Sequence, residues 1–286
     1  MNKKISVFIL FFIFISSGSV FSQTGAAPKF KPAPITVDVL FSYSQPLPNM
    51  FGNIQDFFDF KNYGVKFGIG SEIDVKLSTN KKGNIKPYAS IAYNLFLGSD
   101  GSNTFIDSNT ITQIYPLPGS KKTYSGSPIA GTSKMYLHDF SFAGGFEYDF
   151  INKTRWTPFL GAELSMNVLF GTYRQTPNGY YTRSGYVNSS PGETSFTIKS
   201  ATRFGFGAAA GITFRVHQFV GFTFAAKYKF ANVLGKSSKV TNGPTDLNKI
   251  NLDDKSAPDL NSYLNNDRNI DYFQFLLGVS FFVGKR

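Results

Sequence analysis

The sequence predicts an all-β chain: an eight-stranded antiparallel up-and-down transmembrane β-barrel with long extracellular loops and short periplasmic turns. Three observations point there. The 286-residue chain carries 32 Phe, 15 Tyr and 27 Gly, a composition that suits strands and closely approaching backbones better than a helical bundle. Eight segments alternate apolar residues with polar or small ones at the two-residue period of a strand. The connections between those segments are long and short by turns. After the N-terminal segment, no stretch is uniformly apolar for long enough to make a membrane helix, so a membrane crossing requires a closed barrel.

In chain order, residues 1–22 read as a signal peptide. Lys3 and Lys4 precede the apolar run Ile5–Ile15, and Val20 and Ser22 stand where a signal peptidase reads before Gln23. The run is shorter than the roughly 20 residues a membrane helix needs. Cleavage near Ser22 is expected, and export excludes cytoplasmic and ATP-dependent functions. Residues 23–34, with Pro32 and Pro34, read as an extended periplasmic lead-in, and 35–286 as one barrel domain. The formal charge of +11 falls to +9 once Lys3 and Lys4 are removed. The remaining cations are scattered, so a barrel facing anionic head groups is expected and nucleic acid is not. With no Cys, disulfides, thiolate metal sites, cysteine nucleophiles and a lipoprotein anchor are excluded.

The strands follow. In Ile35–Tyr43 the odd positions are apolar, with Thr36, Asp38 and Ser42 between them. Tyr63–Leu77 sets Val65, Phe67, Ile69, Ile73, Val75 and Leu77 against Lys66, Gly68, Gly70, Glu72, Asp74 and Lys76. The same split recurs in Pro87–Leu97, Leu137–Phe150, Trp156–Phe170, Arg203–Val216, Phe219–Phe230 and a last segment from Phe273 to Val283. Between them, Ser44–Asn62, Gly98–Tyr136, Gly171–Thr202 and Ala231–Asn269 are long, whereas Ser78–Lys86, Ile151–Arg155 and His217–Gln218 are short. Asn80–Asn84 and Asn152–Thr154 have turn chemistry. Pro258–Asn265 is expected to form a short helical turn outside the membrane.

Alternation would also suit a soluble lipocalin-type barrel with its apolar face inward. Residue size decides against it: an eight-stranded interior is only just wide enough for side chains, and here the apolar face is crowded with Phe and Tyr while the other is rich in Gly, Ala and Ser. The rings should therefore face lipid. Aromatic girdles are expected at Phe150, Trp156 and Phe214 near the short turns, and at Tyr43, Tyr63, Phe170 and Phe230 near the long loops.

The inward face would then hold charges. Asp38, Glu72, Asp74, Lys76, Glu147, Asp149 and Arg215 fall in the periplasmic half, Lys66, Asp139, Arg203, Lys227 and Lys229 in the outer half, and Glu163 between them. Unpaired burial would be costly. A cross-barrel network is expected to plug the lumen, with Arg215 and Lys76 bridging the lower carboxylates and Glu163 reaching an upper cation. A narrow ion path is the alternative use of the same residues.

No catalytic, cofactor or metal site is expected. His217 reads as a turn residue. His138 lies on the lipid face near the outer leaflet, where a lipid A deacylase needs its base, but its neighbour on that face is Phe140 and the serine such a site requires two residues on is missing. The oxygens of Asp100–Thr104 and Asn251–Asn269 do not have the spacing of a tight calcium loop.

Signal segment, eight alternating strands and the terminal Phe275–Val283 strand together resemble the small outer-membrane β-barrel family, to which OmpA-type and OmpX-type barrels belong. The resemblance covers almost all of the mature sequence and rests on pattern. It implies a bacterial outer-membrane location, assembly by the barrel assembly machinery, and outer-membrane lipid and lipopolysaccharide as surroundings. Such barrels commonly end on an aromatic residue, whereas here Phe281 and Phe282 are followed by Val283, Gly284, Lys285 and Arg286. No peptidoglycan-binding domain is expected after the barrel, so a tethering role like that of OmpA-type proteins is not expected. The expected function is a non-enzymatic, porin-like barrel without cofactor, monomeric, whose loops meet an extracellular ligand or whose scaffold supports the envelope. A narrow channel and a lipid-modifying enzyme are the alternatives.

Overall fold

A computed structural model describes residues 30–58, 61–80, 82–100, 127–151, 153–182, 185–187, 193–237, 249–252, 254–255 and 267–284. The signal segment, most of the lead-in, the Pro258–Asn265 turn and the loop after Asp100 lie outside the described residues. The elements are β1 (Ile35–Pro46), α1 (Ile54–Phe58), β2 (Phe67–Leu77), β3 (Ile85–Asp100), β4 (Ser127–Asp149), β5 (Trp156–Thr182), β6 (Gly185–Val187), β7 (Thr194–Arg215), β8 (Val220–Leu234), β9 (Lys249–Ile250) and β10 (Asp271–Val283).

Eight of these strands close on themselves. Each pairs antiparallel with its chain neighbour, β5 joins β7 from Trp156↔Phe214 upward, and β1 joins β10 from Ile35↔Val283 to Pro46↔Tyr272. Closure leaves no unpaired strand edge in the ring. The two-residue segment β9 adds parallel to β7 and the three-residue β6 adds to β5, both at the end away from the chain termini. The turns at the near end are tight. In the β2–β3 turn the Asn84 amide donates to the Asn80 side chain at 3.0 Å, and Gly83 takes φ 70°, a left-handed conformation that glycine adopts without strain.

Parity then sorts the side chains. In β1, Thr36, Asp38, Leu40, Ser42 and Ser44 are buried, while the odd positions between Ile35 and Tyr43 face outward. Phe41 is 72 % exposed, Phe146 67 % and Leu164 74 %, so the bulky apolar face forms the outer surface. The inward face is small where the barrel is tight: a Cβ on Gly211 would lie 2.5 Å from the Phe159 ring and 2.5 Å from the Phe224 carbonyl.

The strands run further from the turns than alternation indicates. β4 begins at Ser127, β5 continues to Thr182 and β7 begins at Thr194, all inside stretches the pattern assigns to loops. Alternation needs two contrasting environments on the two faces of a strand; where that contrast is weaker, backbone pairing continues without the signature. Of the girdle residues, Phe150, Trp156, Tyr43 and Phe170 are exposed on the outer surface. Phe214 is half-buried against Trp156, with ring centroids 4.3 Å apart, and Phe230 is half-buried beside Phe206. Tyr63 is a correction: it is 1 % exposed, because it precedes β2 and belongs to a segment folded over the lumen.

Candidate functional site

The lumen is filled at three levels. At the turn end, the lead-in crosses the mouth. The Ser78 hydroxyl donates to the Ala33 carbonyl at 2.6 Å, beside β1, while the Phe30 amide donates to the Lys153 carbonyl at 3.1 Å, in the β4–β5 turn on the far side of the barrel. Near-extended chain from Phe30 to Pro34 reaches ~13 Å, enough to span the mouth. Arg215 of the barrel wall holds this strap: its Nη1 donates to the Lys31 carbonyl at 3.0 Å, and its guanidinium lies 4.1 Å from the Phe282 ring centroid and 6.0 Å from that of Phe30.

Above the strap lies a buried ionic network. Lys76 contacts Asp38 at 2.7 Å and Asp74 at 4.0 Å, and also pairs with Glu147. Lys86 spans Glu147 at 3.5 Å and Asp149 at 2.6 Å. At mid-height Lys227 bridges Glu72 at 2.5 Å and Glu163 at 3.0 Å, and the Tyr88 hydroxyl donates to Glu163 at 2.9 Å. Higher up, Lys229 donates to the Ser141 hydroxyl at 2.6 Å and lies 4.0 Å from Asp139, which accepts from the Tyr272 hydroxyl at 2.7 Å. A cavity of about 20 Å³ lined by Glu72, Asp74, Lys76, Tyr88, Glu147 and Lys227 among others remains within this network. That is room for about one water.

The loop end is closed by an apolar core. Met50, Ile54, Phe57 and Tyr63 from the segment after β1 pack with Phe96, Leu137 and Leu169 of the wall and with Leu252 and Ile270 from the segment before β10. The buried Arg268 guanidinium lies 4.8 Å from the Phe57 ring centroid and 4.7 Å from that of Tyr63, and donates to the Phe57 and Asn62 carbonyls. Arg203 ties the loop to the barrel through two hydrogen bonds to Asp254, at 2.7 and 3.0 Å, and Asn232 donates to the same carboxylate.

Several expectations are corrected here. Lys66 is not in the lumen: it precedes β2, donates to the Asn53 side chain at 2.9 Å and lies over the Phe51 ring, so strand parity does not apply to it. Arg215 does not bridge the lower carboxylates, because its side chain turns toward the strap and Phe282. Lys86, Tyr88, Tyr272 and Asp254 are partners that the pattern missed. Lys86 stood in a stretch read as turn, and Asp254 comes from a loop whose course no periodicity encodes.

On the outer wall, His138 Nδ1 lies 2.6 Å from the Tyr93 hydroxyl, and its ring stacks on Phe170 with centroids 4.7 Å apart and planes 4° apart. Among the described residues no cluster of three or more His, Asp or Glu is arranged to hold a metal ion.

No protein-family model matches the chain, and no curated protein matches it. Solved structures to which it is similar include Neisserial surface protein A, 13% identical, covering 88% of this chain and 98% of that one with a TM-score of 0.40. The attachment invasion locus protein Ail of Yersinia pestis is 11% identical, covering 88% of this chain and 99% of its own, TM-score 0.35. The outer membrane protease OmpT of Escherichia coli is 12% identical, covering 91% and 99%, TM-score 0.33. Likeness at this distance transfers no activity, so the functional reading rests on this chain's own geometry.

Proposed function

We propose that this protein is an integral β-barrel of the bacterial outer membrane, exported behind a cleaved signal peptide, with no catalytic role and no solute path. It acts through the end it presents to the exterior, or as a scaffold of the envelope. The membrane part of the reading is supported by a closed ladder wearing its largest apolar side chains outward, an arrangement that water would not stabilise. The absence of transport is supported by one observation above all: among the described residues, strap, ionic network and apolar core follow one another along the lumen, and the cavity inside the ionic network has room for about 20 Å³. Against a lipid-modifying enzyme, the Tyr93 hydroxyl engages His138 Nδ1 and Phe170 covers one ring face. The surrounding lipid, the assembly machinery and a ligand at the loops are the partners this reading implies, and the barrel works as a monomer.

Planar bilayers test the central claim. The purified full-length protein is expected to insert without discrete conductance steps, and reproducible steps would establish the channel reading in its place.

A further inference from the structure

The outward face of β4 and β5 carries a feature that neither a plugged lumen nor a lipid-facing belt requires. Lys134 and Arg174 stand directly opposite each other on neighbouring strands, and both are exposed. Like charges in that register repel. One carboxylate partly relieves them: Glu193 lies 3.4 Å from Arg174 and is itself 47% exposed, while no carboxylate among the described residues is within 4 Å of Lys134.

Their height is informative. From Tyr148 near the turns to His138 is ten residues of β4. That is ~34 Å of strand, or ~26 Å along the membrane normal at the usual tilt, which matches an apolar band of about 25 Å. Lys134 then lies ~10 Å higher, at the level of lipid head groups. Below the cations the wall is built for acyl chains. Phe140 and Phe142 meet edge to face at 4.9 Å, and Phe170 is 37 % exposed. Between the two zones sit Tyr136, 5.7 Å beneath the Arg174 guanidinium, and the Tyr93–His138 pair. Cation pair, polar step and apolar wall follow the order of phosphate, sugar and acyl chain in a phosphorylated glycolipid.

We propose that Lys134 and Arg174 form a clamp for the phosphate of a phosphorylated glycolipid in the outer leaflet. The lipid's acyl chains lie along Phe140, Phe142 and Phe170, and its phosphate neutralises the two opposed cations. This rests on the outer-membrane reading above and adds to it a ligand class and a place on the wall.

The test uses the full chain folded into phosphatidylcholine nanodiscs, titrated with lipid A bearing phosphates, with dephosphorylated lipid A and with inorganic phosphate, and read by native mass spectrometry. Phosphorylated lipid A is expected to bind in preference to the dephosphorylated form. Lys134→Gln/Arg174→Gln should weaken it roughly 30-fold, from about fivefold per cation at a charged surface, and Lys134→Arg/Arg174→Lys should retain it. Equal binding of the two lipids, or an unweakened double variant, overturns the clamp while leaving the barrel in its membrane. Saturation by inorganic phosphate at micromolar concentration would make it a free-anion site and also overturn the proposal. Failure of the parent chain to enter nanodiscs overturns the membrane reading and the clamp with it.

Discussion

Removing one charge tests whether the lumen is dry. Lys227 has a 5% exposed side chain and lies 2.5 Å from Glu72 and 3.0 Å from Glu163, whose side chains are each 2% exposed. Lys227→Met keeps the length of the stem and removes the ammonium group, leaving two buried carboxylates facing one another without their cation. Breaking a buried ion pair from one side costs about 3–5 kcal/mol, or roughly two to three and a half orders of magnitude in the folding equilibrium. The assay is equilibrium urea unfolding of the refolded chain in phospholipid vesicles. It can be followed by Trp156, the single tryptophan, which stands on the outer surface. The triple variant Lys227→Met/Glu72→Gln/Glu163→Gln should recover most of the loss, because it removes the uncompensated charge and keeps the side-chain volumes. A Lys227→Met variant within about 0.5 kcal/mol of the parent, the range of an ordinary surface substitution, would refute the reasoning. It would mean that water screens these groups, and a wet lumen is what a channel has.

Two further perturbations test the strap and the assignment of faces. With Thr36 replaced by cysteine as a reporter, at a position 4 % exposed, Arg215→Ala together with Phe30→Ala should open the turn-side mouth to a thiol reagent added from that side; unchanged labelling would show that the strap does not depend on its clamp. Gly211→Ala should lower stability by about 1–3 kcal/mol through overpacking, because its Cβ would meet the Phe159 ring and the Phe224 carbonyl at 2.5 Å, whereas Ala210→Val on the outward face of the same strand should be nearly neutral. Equal costs in urea melts would contradict the assignment of inner and outer faces.

The readability of the chain varies with the solvent each segment meets. In β1 and β2, every second residue lies on the exposed apolar face and the next one in a cramped polar interior, so the two-residue alternation is written into Ile35–Tyr43 and Phe67–Leu77 by both environments at once. Further from the tight turns that contrast disappears: Gly171–Thr182 is strand, yet its sequence carries no sustained apolar alternation. Parity also fails at strand ends. It counted Tyr63 and Lys66 as strand positions although β2 starts at Phe67, and it left out Lys86 by starting the next strand at Pro87 instead of Ile85, because a turn shifts phase without leaving an apolar mark.

Closure into an eight-stranded barrel, the outward direction of the apolar strand face and charges on the inner one were therefore determined by the amino-acid sequence alone, since each follows from local periodicity and side-chain size. The partners inside were decided by tertiary structure. Lys227 meets Glu72 and Glu163 across 155 and 64 residues of chain, and Arg215 turns to the strap although carboxylates lie on the same inner wall. Arg203 finds Asp254 in a loop, and Arg268 seats itself on Phe57 and Tyr63. The physical reason is range. Alternation is a property of adjacent residues, whereas the pairing of buried charges depends on stagger, on strand tilt and on which loop folds back into the opening, and these exist only once the ring of strands has closed.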